Sequence, residues 1–253
     1  MRNVVFNEAQ YAQDVVRTSD LGSSPFQALV CVARYFMSLG FDADAIRTRV
    51  NALYNRENSY GYKDIADSVI KEAGKRDLAD IRFLPITAAE LETIQGIDGL
   101  RRQRVAFALL VIAKYQNEIN PRNHNWVNFR HKDVFAMANV KVSVRDQYLL
   151  LNDLKTLGLL KYNRRVDNLD VRVLYADDDG AATGNHVALE IYDMRNLGYQ
   201  LMRYQGGAFL ECKSCGIIAP RKSPRQMFCV ECSKLENAKR ALTFYRKSMG
   251  ISP

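Results

Sequence analysis

Three observations place this chain among mainly α-helical proteins with small β elements, organised in three parts. Apolar residues recur at helical spacing through most of residues 1–119. Between 100 and 176 the pattern reads long helix, short helix, turn, helix, then two strand-like runs. Residues 212–232, CKSCGIIAPRKSPRQMFCVEC, hold four of the five cysteines as two Cys-x2-Cys pairs. The expected parts are a helical domain over 1–84, a helix-and-hairpin domain with an additional strand and helix over 85–207, and a cysteine module with a basic helix over 208–253. A chain of 253 residues is long enough for two or three domains.

In the first part, Ser24, Pro25 and Gln27 start a helix in which Phe26, Leu29, Val30, Ala33, Phe36 and Met37 face inward, and Gly40 ends it. A second helix over 43–55 turns Ile46, Val50, Leu53 and Tyr54 inward. A third over 62–73 uses Ile65, Val69 and Ile70 and stops near Gly74. The region reads first as a generic helical bundle; in size and pattern it is also similar to the helical module that follows the catalytic domain of some primases. At RFLPIT the chain extends, because Pro85 disfavours helix before it. Thr87 and Glu90 then form a capping box for the helix over 88–95. The next helix, Leu100–Ile119, is basic at its start (Arg101, Arg102, Arg104) and apolar all round over 105–113, which predicts central burial.

A short helix over 132–138 and a turn over 139–142 lead to Ser143, which caps a helix over 144–157 with Asp146 three residues on. Its stripe is Val144, Tyr148, Leu151 and Leu154, widened by Leu150 and Leu157. Runs at 159–163 and 169–175 follow, joined by RRVDN. This is the order of a winged helix, and residues 100–176 resemble one, most specifically in LLNDLKTLGLLKYN. The resemblance implies that the helix over 144–157 enters a DNA major groove with Lys141, Ser143, Arg145 and Gln147 as contacts. It also implies that Arg164 and Arg165 meet phosphates at the wing tip. Asp146, Asp153, Asp167 and Asp170 would repel phosphate there, so a protein-contact scaffold is the alternative. Residues 187–193 read as a further strand, 194–205 as a helix, and Gly206-Gly207 as a hinge. The loop DDDGAATGNH reads as a solvated turn and Trp126 as a core anchor; His124, His131 and His186 have no partner spacing.

Cys212, Cys215, Cys229 and Cys232 have the spacing of a structural four-cysteine zinc site, in which each pair offers two thiolates from one tight turn. Four thiolates leave a metal no open position for water, so Zn2+ here is a structural ion and the chain reads as non-enzymatic. Ser233 and Glu236 predict a capped helix from 234, placing Cys232 at its N-terminus. Knuckle, basic loop, knuckle and helix look like a zinc ribbon or treble-clef finger. Arg221, Lys222 and Arg225 fall in the loop; Lys239, Arg240, Arg246 and Lys247 fall on the helix. Phe244 and Tyr245 among them either stack on bases or pack on the body. Cys31 reads as a buried thiol.

Net charge is +8, and residues 212–253 carry nine Lys/Arg against two acids, which leaves +1 for the other 211 residues. A basic module on a neutral body points to an anionic partner, with nucleic acid first, DNA before RNA. No apolar run approaches the roughly 18–20 residues of a membrane span, and the start MRNVVFNEAQ lacks a signal-peptide core, so a cytoplasmic place and no membrane partner are expected. The segments LPITAAELE, HNWVNF, NDLKTLGLL, DMRNLGY and CKSCG…FCVEC together resemble uncharacterised proteins of bacteriophages and mobile elements. That resemblance implies a role in phage or mobile-element replication or transcription control, within the host cytoplasm. The alternative is a host-directed interaction protein that binds a bacterial polymerase or defence complex through the same modules.

Overall fold

Residues 105–113 cannot face water on any side, and each of them is fully buried. They are the middle of a central helix around which the largest apolar core forms. The structure, a computed structural model, describes residues 4–22, 24–57, 65–163, 169–177 and 186–248. Among them the helices are α1 (Glu8–Thr18), α2 (Pro25–Ser38), α3 (Ala43–Glu57), α4 (Ala66–Ala73), α5 (Ala88–Gln95), α6 (Leu100–Ile119), α7 (His131–Met137), α8 (Val144–Thr156), α9 (Leu197–Tyr204) and α10 (Val230–Ser248). The strands are β1 (Leu84–Thr87), β2 (Trp126–Phe129), β3 (Leu160–Tyr162), β4 (Leu169–Val173), β5 (Val187–Ile191), β6 (Phe209–Glu211) and β7 (Ile218–Pro220). No helix among the described residues is long and apolar enough to cross a membrane.

Helices α1–α4 enclose their own core, with Leu29, Val32, Ile46, Val50 and Val69 at its centre. Helix α1 is an addition to the sequence reading; the Asn7 carboxamide caps it by accepting from the Gln10 amide at 2.7 Å. Two expectations for α2 need correction. Ser24 makes no side-chain cap, and Phe26 is exposed, because it sits at the solvent side of the first turn. The expected start of the third helix at Tyr62 lies outside the described residues.

A buried ion cluster ties this bundle together. Glu8 lies at the start of α1 and is 2% exposed. It accepts from Arg34 of α2 at 3.0 Å, from the two terminal Arg76 guanidinium nitrogens at 2.6 and 2.9 Å, and from the Ala79 amide at 2.9 Å. Arg34 also donates to the Ala73 and Glu72 carbonyls at the end of α4. The Cys31 thiol faces Glu8 at 3.5 Å and is buried as expected; burial and the Glu8 charge push its pKa up to about 12.

The central unit starts with β1, which pairs antiparallel with β5. The Thr87–Glu90 capping box forms as expected, and buried Glu90 also takes Lys114 of α6 at 2.9 Å and the Asp177 amide at 2.8 Å. A second antiparallel sheet has the order β2-β4-β3. β2 was not foreseen: WVNF turns Val127 and Phe129 into the core, and alternation leaves Trp126 only half-buried rather than a core anchor. Helices α7 and α8 precede β3, and Leu151 and Leu154 seat α8 on the core. Ser143 caps α8 as expected. Its stripe is narrower than predicted, since Val144, Tyr148 and Leu157 are exposed.

Replacing Glu8 by Gln leaves two guanidinium groups facing a neutral amide, and is expected to destabilise the bundle by about 3 kcal/mol in denaturant titration. Burial alone would raise the Glu8 pKa, but the Arg76 hydrogen bonds, the Ala79 amide and the charges of Arg76 and Arg34 hold it below 4.5. A depressed folded value means this stabilisation is present above the unfolded carboxylate pKa and is lost as pH falls through the folded one. Acid titration of stability should therefore show a steeper loss below about pH 4.5 in the parent than in Glu8→Gln.

Candidate functional site

The paired cysteines converge. The four ligand sulfurs of Cys212, Cys215, Cys229 and Cys232 lie within 4.8 Å of one another, close enough to hold one metal ion. Cys212, Cys229 and Cys232 are buried and Cys215 is half-buried. Strands β6 and β7 flank the first pair, and Gly216 (φ 72°) takes the left-handed conformation that turns the chain back after it. The second pair is set by α10, which begins at Val230, earlier than the predicted 234. The Cys232 amide donates to the Cys229 sulfur at 3.4 Å, so that sulfur caps the helix in place of the expected Ser233.

Amide groups prepare the site for negative sulfur. Burial raises the Cys212 pKa, but the Cys229, Cys215 and Ser214 amides outweigh it and bring it down to about 6. At Cys232 the Ser214 hydroxyl lowers the pKa, yet the neighbouring thiols prevail and it rises to about 12. Four thiolates cannot share so small a volume without a cation. The donor set therefore fits a metal ion, and only a metal ion deprotonates all four.

The module is clamped to the central unit through DMRNLGY. Arg195 pairs with Asp193 and donates to the Cys215 carbonyl at 2.9 Å. Asn196 (φ 56°) donates to the Ile218 carbonyl at 2.9 Å and accepts from Asn139 at 2.9 Å. Asn139 closes the chain of contacts by accepting from the Tyr199 amide. Gly198 packs so tightly here that a Cβ would stand 1.9 Å from the Ala138 carbonyl oxygen. Arg104 runs through the same joint to the Ala138 and Asn139 carbonyls. The glycines expected as a hinge instead end α9 in a Schellman turn, with Gly206 N–H on Arg203 and Gly207 N–H on Met202. Tyr199 and Phe209 rings then meet at 5.3 Å across it.

At the start of α8, Arg145 and the preceding Lys141 and Ser143 are exposed as predicted. Gln147 is half-buried, because it shares the inward face with Leu151 and Leu154. The outward face instead carries Arg145, Tyr148, Leu149, Asn152 and Thr156, of which the last four were missed. Helical spacing from Arg145 (i+3, i+4, i+7, i+11) was the signal that could have found them. The acids expected to repel phosphate are engaged: Asp153 with Arg102 at 2.8 Å, Asp146 with the Ser143 hydroxyl at 2.7 Å, and Asp170 with Asn163 at 2.6 Å. Arg164, Arg165 and Asp167 lie outside the described residues.

In the cysteine module, Arg221, Lys222 and Arg225 are exposed on the loop between the pairs. Lys222 and Arg225 border a groove of about 550 Å³ whose other wall carries Lys234 and Arg240 of α10. Lys239 is held by Glu236 at 2.9 Å. Phe244 and Tyr245 are exposed, so neither packs into the body. The Arg246 and Lys247 side chains lie outside the described set.

Two outcomes test this geometry. The protein should carry one metal ion per chain by elemental analysis; chelation, or Cys212→Ser with Cys229→Ser, should release it and abolish amide-exchange protection in β6, β7 and the first turn of α10. Gly198→Ala should lower stability by about 3 kcal/mol and speed proteolysis between α9 and the module. No protein-family model, curated protein or solved structure matches the chain.

Proposed function

We propose that this protein is a non-enzymatic nucleic-acid-binding protein that grips duplex DNA, in the replication or transcription control of a phage or mobile element. The outward face of α8 carries this reading. Arg145 and Asn152 stand exposed on it one above the other, with Lys141 and Ser143 at its start, and Asp153 is paired with Arg102. Arg and Asn are side chains that make paired hydrogen bonds to guanine and adenine edges in the major groove. The order α6, β2, α7, α8, β3, β4, with β4 between β2 and β3, resembles the arrangement of a winged helix and supports presenting α8 to a groove.

The cysteine centre is a structural zinc site on this reading, held by Cys212, Cys215, Cys229 and Cys232 in a zinc-ribbon or treble-clef arrangement. Thiolates favour zinc, and four of them complete its tetrahedron, so the ion braces the module and takes no part in a reaction. The module adds backbone affinity through Arg221, Lys222, Arg225, Lys239 and Arg240. A host-directed protein interaction is the second reading, favoured by Val144, Tyr148 and Leu149, which expose apolar surface on α8.

Fluorescence anisotropy on random-sequence duplex discriminates the two. Duplex DNA binding should weaken by orders of magnitude between about 50 and 200 mM salt. On a duplex selected for tight binding, Arg145→Ala with Asn152→Ala should weaken binding by about 1–3 kcal/mol per lost base contact. Absence of binding to duplex, single strand and RNA at low salt would refute the nucleic-acid reading and leave the protein-contact one.

A further inference from the structure

We propose that the groove between the loop over 221–228 and helix α10 binds single-stranded nucleic acid, with phosphates on Lys222, Arg225 and Arg240 and a base stacked on Phe244. The inference rests on the reading that the cysteine module faces nucleic acid, and adds the form of strand and the residues that take it. The groove is open and about 550 Å³ in volume. Lys222, Arg225, Lys234 and Arg240 line it, against one acid, Glu236. Lys239 holds that carboxylate at 2.9 Å and lowers its pKa. Lys234 sits 3.1 Å from Glu231, an exposed pair that a phosphate can displace at little cost. Lys222, Arg225 and Arg240 form no ion pair with any described residue, so their charge is available to a ligand.

Charge alone would take any polyanion, and two further features narrow the ligand. Met227 and Val230 expose apolar surface in the same groove, at 44% and 51%. Ser233, Asn237 and Arg240 face it from α10, and Phe244 continues their row one turn further along. Phe244 is 76% exposed, more than any other large apolar side chain among the described residues. A phenyl ring in water beside a row of cations matches the pattern by which proteins hold single strands, charge along the backbone and a ring under a base. A duplex hides its base faces within the stack, so only an unpaired strand can use Phe244. The metal centre gives the groove its walls: Cys229 and Cys232 fix the start of α10, and the Lys213 amide bonds to Met227 at 3.0 Å to anchor the loop.

The test is anisotropy with a labelled oligothymidylate, a duplex of equal length, and inorganic polyphosphate as unlabelled competitor, using the zinc-loaded full chain. Phe244→Ala should weaken oligothymidylate binding by about tenfold while polyphosphate competes as before, and Phe244→Trp should restore it. Arg225→Ala with Arg240→Ala should weaken both ligands and reduce the salt slope. Phe244 is exposed, so its replacement tests the ligand and not the fold. Unchanged oligothymidylate affinity in Phe244→Ala, or unchanged affinity for both ligands in the double variant, overturns the proposal. If duplex binding is then lost only on changing Arg145 and Asn152, the α8 reading stands without the groove. If oligothymidylate binds through the groove and duplex does not bind at all, the groove stands and the α8 reading falls.

Discussion

Everything in the central unit answers to one constraint: helix α6 carries no polar face between 105 and 113, so it must be covered on every side. Each fully buried Leu, Ile, Val or Phe there contributes about 1.5–3 kcal/mol when removed from water, more than any single surface contact. Helices α5, α7, α8 and α9 and strands β1, β2 and β4 all touch α6 as a result. Polar groups at its ends then fix which element goes where. Arg102 takes Asp153 of α8, Arg104 takes the carbonyls ending α7, and Lys114 takes Glu90 of α5. The outward face of α8 and the anchorage of α9 are consequences of this wrapping.

From α9 the constraint passes to the cysteine module. Asp193, Arg195, Asn196 and Gly198 each have a task in the joint: orienting a guanidinium, holding the Cys215 carbonyl, bridging Asn139 to Ile218, and permitting close backbone approach. The basic groove is thus fixed to the same body as α8. A metal in the four-cysteine site would complete the chain of support by keeping the loop over 221–228 against α10.

Local signals were readable from sequence because they act within one turn. The Thr87–Glu90 box, the Ser143 cap and the bounds of α6 fall in that class; the convergence of the two cysteine pairs, thirteen residues apart, was readable because paired thiols at that spacing have one metal to share. Elements stabilised mainly from a distance were not readable. Helix α1 is polar, buries Glu8, Ala12 and Val15, and gains its place from Arg34 and Arg76. Strand β2 is four residues long and exists because β4 pairs with it. Val144 and Tyr148 read as inward but face solvent; Leu151 and Leu154, with Leu150 beside them, seat α8, which turns Gln147 in and Asn152 out. Gly206-Gly207 looked like a hinge because a Schellman turn and a flexible link have the same composition.

Amide hydrogen exchange of the metal-loaded protein, with and without a DNA duplex carrying a single-stranded overhang, tests the placement of both surfaces together. Protection on binding should appear in the turn and first half of α8 and in the 221–228 loop with the start of α10, while α1–α4 stay unchanged. Protection confined to α1–α4, or none anywhere at low salt with saturating DNA, would contradict it.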